Sequence, residues 1–220
     1  MVDPSRNRWK NEGASYSTPH LRLRQVAELV KRAGPGRMVD IGCAGGYLRT
    51  LCPGVEYVGC DFVEPAGCEE FRFFLCDFNH QPLPGEIRDE EMLVCSGILE
   101  YIDDLPSFLT QCRTRLLRGG RLVATYFNRN HVSRRWARLR GMSPSVHPDW
   151  RPLLVPADFR RMIAGVGFHL DEIFAMNHSL REAAGVGDTV ESPLLLPRER
   201  AWSGLLAHQF LYLARNGDPL

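Results

Sequence analysis

One stretch constrains this chain more than any other: Arg37-Met-Val-Asp-Ile-Gly-Cys-Ala-Gly-Gly-Tyr47. Met38, Val39 and Ile41 suit a buried strand, while the small residues Gly42, Cys43, Ala44, Gly45 and Gly46 leave little side chain to block a ligand lying against the backbone. A turn of this kind, opening into a helix, is a nucleotide-type site, because the first amides of the helix point outward with partial positive charge. Asp40 narrows the ligand. A carboxylate just ahead of the turn repels pyrophosphate but can accept hydrogen bonds from an ammonium group or ordered water. An amino-acid-bearing nucleoside therefore fits better than a dinucleotide. The dinucleotide fingerprint Gly-x-Gly-x-x-Gly would also need glycine at Ala44 and Tyr47.

The same residues, Asp40-Ile-Gly-Cys-Ala-Gly-Gly46, resemble the first motif of the class I S-adenosylmethionine-dependent methyltransferases, Asp-x-Gly-x-Gly-x-Gly. Ala44 stands where the motif has its middle glycine, which is tolerable if the backbone there keeps a negative φ. The resemblance implies a Rossmann-like α/β fold: a seven-stranded, mostly parallel sheet with an antiparallel last strand and helices on both faces. It also implies S-adenosyl-L-methionine as cofactor.

Further strands follow the turn in the expected order. Glu56 to Asp61 reads as the second strand, and an acid about 20 residues past the first turn can accept hydrogen bonds from both ribose hydroxyls. By the resemblance, Phe62 lies on the adenine face. Phe71 to Cys76 reads as the third strand. Asp77-Phe78 follows where the family reads the adenine amino group, although Asp after a strand is also a common turn former. Glu91 to Ser96 reads as the fourth, and Ser96-Gly-Ile-Leu-Glu-Tyr-Ile-Asp-Asp104 resembles the family's segment beneath the methyl donor. Gly97 allows close approach there, and Glu100 and Tyr101 border the transfer site. A helix from Leu105 to Leu117, Gly119-Gly120 and a fifth strand, Arg121 to Phe127, complete the match.

The second half carries the acceptor candidates. From Asn128 to Arg140, His131, Arg134, Arg135, Arg138 and Arg140 form a basic helix or lid; Asn128 and Arg135 are candidate acceptor contacts, with a solvated helix face as the alternative. His131 or His147 is the expected general base if the acceptor is an alcohol; Asp149 could orient His147. Pro156 to Gly165 reads as a helix, Phe168 to Phe174 as a sixth strand, and 207 to 214 as a last strand antiparallel beside it. The stretch 176 to 200 reads as a lid or a homodimer contact. Ahead of all this, Thr18-Pro19 caps a helix whose apolar face is Val26, Ala27, Val30 and Ala33. That segment covers the sheet, with Tyr16 and Arg22 as candidate cofactor contacts.

At 220 residues, 44% hydrophobic and 24% charged, one domain is expected: 1–36 as cover, 37–127 as the cofactor half and 128–220 as the substrate half. The net charge of +1 gives no global pull toward nucleic acid, and no stretch has the length and apolarity of a bilayer span, so neither nucleic acid nor membrane is expected as a partner. Seven cysteines without a Cys-x-x-Cys pair read as buried thiols of a reducing, cytoplasmic compartment rather than metal ligands. The sequence thus predicts methyl transfer to oxygen or nitrogen of a small molecule such as a sugar or secondary metabolite. A non-catalytic S-adenosylmethionine-binding regulator and a nicotinamide-dependent oxidoreductase are the alternatives.

Overall fold

A computed structural model describes residues 21–142, 151–178, 196–197, 205 and 207–217. The elements run α1 (Leu21–Ala33), β1 (Arg37–Ile41), α2 (Tyr47–Leu51), β2 (Glu56–Asp61), β3 (Arg72–Leu75), β4 (Glu90–Cys95), α3 (Leu105–Arg115), β5 (Leu116–Phe127), α4 (Val132–Leu139), α5 (Pro156–Gly165), β6 (Phe168–His178), β7 (Leu196–Pro197) and β8 (Ala207–Asn216). Single 3-10 turns lie at Cys68–Glu70 and Leu99–Tyr101.

All strands join one sheet in the order β3-β2-β1-β4-β5-β8-β6-β7. The pairs β1–β2, β1–β4, β2–β3 and β4–β5 are parallel. β8 lies between β5 and β6, antiparallel to both. These are the seven strands that the sequence predicts, with β7 added as a two-residue edge piece on β6. The chain reverses direction across the sheet between β1 and β4, which opens a crevice at the carboxyl ends of those two strands.

Strand alternation sorts the core into two layers. On one face Met38, Met92, Val94, Val123 and Leu211 pack with Val26, Leu29 and Val30 of α1 and Leu48 of α2. On the other, Val39, Leu93, Cys95, Leu122 and Tyr212 pack with Phe108 and Leu109 of α3 and with Phe159 and Ile163 of α5. Fully buried strands of this kind read as continuous apolar runs, and burying each such side chain contributes about 1.5–3 kcal/mol. The sheet's central position therefore follows directly from β1, β4 and β5 being apolar on both faces.

Boundaries differ from the sequence reading in one instructive place. The helix expected to reach Leu117 ends at Arg115, and the chain is already extended from Leu116, where Leu116 pairs with Glu90 before the register shifts between Glu90 and Met92. Burial of Leu116 against the sheet, at 5% exposure, outweighs its helix propensity. Pro19 and the expected Thr18 cap lie outside the described residues, as do most of 176–200.

Candidate active site

The glycine-rich turn is built by β1 and held by β2. Gly42 N–H donates to the Cys60 carbonyl at 2.8 Å, and Ala44 N–H donates to Asp61 Oδ2, also at 2.8 Å. Gly42 has φ +76°, and a Cβ there would come 2.8 Å from Ile98 Cβ, so only glycine lets the segment after β4 pack against the turn. Ala44 corrects an expectation: its φ is +46°, not negative. A left-handed alanine costs roughly 1–2 kcal/mol, and the Asp61 bond to its amide helps hold it there.

Asp61 is 6% exposed and divides its oxygens, Oδ2 to Ala44 N–H and Oδ1 to Phe62 N–H at 2.7 Å. Burial raises its carboxyl above the ordinary value, opposed by these amide bonds. Asp40 lies on the α1 side of the sheet, 2% exposed, and accepts from the Tyr57 hydroxyl at 2.9 Å. Burial, countered by that hydrogen bond, pushes its carboxyl up to about 7.

At the ends of β3 and β4 the loops brace one another. Asn79 Nδ2 donates to the Tyr101 carbonyl at 2.9 Å, and Asp103 N–H donates to Asn79 Oδ1 at 2.9 Å. Asp77 accepts from Asn79 N–H at 3.2 Å and faces His80 Nδ1 at 3.1 Å, as a turn former would. The Phe78 ring, expected beside the cofactor, is instead 9% exposed and packs edge-on against Phe108, 5.9 Å between centroids. An aromatic ring gains more in that apolar layer than at a polar rim.

Glu100 is the most unusual group in this region. It is 1% exposed; Oε1 accepts from Phe127 N–H at 2.8 Å, and Oε2 is buried without a hydrogen-bond partner. Burial raises its carboxyl to about 7, opposed by the Phe127 amide and the charges of Arg22 and Arg134. Ser96 Oγ, in the same segment, is also buried without a partner. Gly97 (φ +78°) lets Arg22 approach, since a Cβ there would sit 2.7 Å from the Arg22 Cζ. The close approach expected at Gly97 is thus made by a guanidinium from α1. The main chain at 151–154 crosses nearby, with Arg151 N–H donating to the Glu100 carbonyl at 2.8 Å and Leu154 N–H to the Tyr126 hydroxyl at 3.3 Å.

Two of the expected acceptor-side residues have other work. Asn128 is fully buried, donates to the Ala207 carbonyl at 2.9 Å and accepts from Asn130 N–H at 2.9 Å; it pins the end of β5 to β8. His131 is 2% exposed, caps α4 by accepting from Ser133 N–H through Nδ1 at 3.3 Å, lies 2.7 Å from Ser133 Oγ and stacks on His208 at 3.6 Å. Both side chains are thus engaged in contacts that hold β5, β8 and α4 together. Arg135 is exposed, and its neighbour Arg134 turns inward instead. Arg134 Nη1 donates to the carbonyls of Asn128 (3.1 Å) and His208 (3.3 Å), and its guanidinium lies 5.1 Å from the Phe127 ring centroid. The helical period could have singled it out: Val132, Trp136 and Leu139 share one face, and Arg134 falls opposite. Tyr16 and His147 lie outside the described residues. Among those described, no three His, Cys, Asp or Glu side chains gather in a way that could hold a metal ion.

A Rossmann-like sheet with its β8 inserted antiparallel, a glycine-rich turn after β1 and an acid closing β2 together define the class of S-adenosylmethionine-dependent methyltransferases. A family model described as a methyltransferase domain matches residues 18–173, and the chain belongs to that family. It is an enzyme of this class, with S-adenosylmethionine as its methyl donor. Among curated proteins it is similar to the ubiquinone biosynthesis O-methyltransferase of Marinobacter nauticus, 24% identical over 195 residues that cover 79% of this chain and 82% of that one. Its fold is shared by a SAM-dependent methyltransferase of Archaeoglobus fulgidus (TM-score 0.60, 15% identity, 88% and 94% of the two chains). It is shared also by the 1,6-didemethyltoxoflavin-N1-methyltransferase of Burkholderia thailandensis, solved with S-adenosylhomocysteine (TM-score 0.57, 17% identity, 90% and 79%).

Proposed function

We propose that this enzyme methylates a hydroxyl oxygen of a small organic acceptor and that Glu100 receives the hydroxyl proton. The observation carrying this reading is the buried Oε2 of Glu100, which has no partner at the carboxyl ends of β4 and β5. A carboxylate so placed is costly to ionise and gains from an incoming O–H donor. The similar Marinobacter protein is named an O-methyltransferase, which agrees with the oxygen.

The residues present fit the donor. The backbone from Gly42 to Gly46, with its small side chains, would lie against it, Asp61 would face its ribose, and the unsatisfied Ser96 Oγ would supply a polar contact. Phe62 and Asp77 would border the adenine, and Tyr101 the acceptor. Bound S-adenosylmethionine supplies a methyl group on a sulfonium leaving group, so the protein's task is alignment and uptake of one proton. Burial raises the Glu100 carboxyl to about 7; the backbone amides of Glu100 and Phe127, and then Arg22 and Arg134, favour its charged form and limit the rise. All seven cysteines are free thiols, in keeping with a reducing, cytoplasmic setting.

The test is a screen of phenols, sugars and amines with radiolabelled donor, run on the parent and on Glu100→Gln. Turnover of a hydroxyl acceptor should fall on the order of 10²-fold in the variant while S-adenosylhomocysteine affinity is kept. Turnover of amines only, or a variant as active as the parent, would refute the reading.

A further inference from the structure

Four of the five large hydrophobic side chains exposed among the described residues lie on α4 or just past its end: Val132 (49%), Trp136 (56%), Leu139 (81%) and Met142 (61%). The first three are spaced i, i+4, i+7 and share one face of the helix. The opposite face points inward and is polar, with Arg134 at 4% exposure and the capping His131 at 2%. This inverts the usual arrangement, in which a surface helix buries its apolar stripe and shows its charges to water. The inward face is held by Arg134, which donates to the carbonyls of Asn128 and His208, so the apolar stripe is fixed toward the outside.

The helix is also firmly built, so its outward face is not the by-product of a loose end. His131 caps it, and Gly141 (φ +68°) closes it: Gly141 N–H donates to the Arg138 carbonyl at 3.1 Å and Met142 N–H to the Ala137 carbonyl at 2.9 Å. Arg135, Arg138 and Arg140 flank the stripe, with Arg135 and Arg140 exposed; the Arg140 guanidinium covers part of the Trp136 ring, 4.8 Å from its centroid. From Leu105 to Pro148 the sequence has no Asp or Glu.

We infer that α4 is a docking face for the surface of an anionic lipid bilayer. Charge complementarity decides the occupant. A short helix with an outward Trp and Leu, rimmed by arginines and without a nearby acid in sequence, matches the chemistry of an anionic headgroup layer: apolar side chains enter the acyl boundary while guanidinium groups hold phosphates. A second copy of this chain is a poor occupant, because a two-fold contact would set each patch of arginines against itself. The sequence expectation of no membrane partner rests on the lack of a spanning segment. Among the described residues no helix is long and apolar enough to cross a membrane, and surface docking needs none.

The test is co-sedimentation of the full chain with vesicles of phosphatidylcholine alone and of phosphatidylcholine with phosphatidylglycerol, at low and high salt. The parent should sediment only with the phosphatidylglycerol vesicles and less at high salt. Trp136→Glu/Leu139→Glu and, separately, Arg135→Glu/Arg138→Glu should each lower the bound fraction about tenfold or more. Unchanged S-adenosylhomocysteine affinity would show that these surface variants remain folded. Three results would overturn the proposal: a parent that stays in the supernatant, either pair of substitutions sedimenting like the parent, or a parent dimer that Trp136→Glu/Leu139→Glu makes monomeric.

Discussion

Ala44 and Glu100 each break a local rule, and each break has a measurable consequence. Ala44 holds a left-handed backbone at φ +46°. Replacing it with glycine relieves roughly 1–2 kcal/mol of strain but frees the unfolded chain by roughly 0.4–1 kcal/mol. The strain is the larger effect, so Ala44→Gly should raise the urea-derived stability by about 0.5 kcal/mol and leave donor affinity intact; a loss of stability would show that the Ala methyl is packed. Glu100 faces Arg22 from α1, Arg134 from α4 and the Tyr126 phenol from β5, and its carboxyl is raised to about 7. Its base form gathers as pH rises through that value, so kcat should climb across about pH 6–8 and level off above. In Glu100→Gln, any residual rate should lose that rise. Single-residue roles are only partly legible in the sequence. Glu100 lies within the post-β4 segment that the sequence reading places beside the transfer site, but the state of its two oxygens depends on the Phe127 amide, 27 residues away, which no local pattern reveals.

At the scale of elements, type and order are readable because β1, β4 and β5 are apolar runs and Gly or Pro closes most helices. The roles of side chains in the β5–α4 connection are not. Asn128, His131 and Arg135 are polar residues following a strand at the substrate edge, a position that suggests chemistry. Two of them are spent on the backbone of β8 and the cap of α4, the first with a partner supplied from Ala207, and the third is exposed to water. Asn128→Ala removes bonds to Ala207 and Asn130 inside a dry joint, and should cost on the order of 2–4 kcal/mol in thermal or urea unfolding. If the variant instead lost activity at undiminished stability, Asn128 would belong to the acceptor site after all.

Across the described residues, carboxyls raised by burial, Asp40 and Glu100 together with Asp61 and Glu90, make stability fall as the solution becomes less acid. Asp40 moves from 3.8 to about 7 and Glu100 from 4.5 to about 7. Both are raised in the fold, so the folded state favours their neutral forms. That contribution is fully present below about pH 4 and is lost as pH rises through about 7. Ionising Asp40 in place costs on the order of 4 kcal/mol. Urea titrations at stepped pH should therefore show Asp40→Asn flattening the decline between about pH 4 and 8, relative to the parent. An unchanged slope would mean that Asp40 is already ionised in the fold.

The position of β8 bears on how the molecule is made. Strands β1 to β5 pair in parallel among themselves, without any strand from further along the chain. Among the described residues β6 pairs only with β8 and the two residues of β7, and β5 has a bare inner edge until β8 arrives. For the time needed to synthesise roughly 40 further residues after β6 begins, two long apolar edges wait for one late strand. The newborn protein is then a partial sheet open in its middle, and the step that closes it also seats Asn128 against Ala207, so the joint between β5 and β8 is completed late.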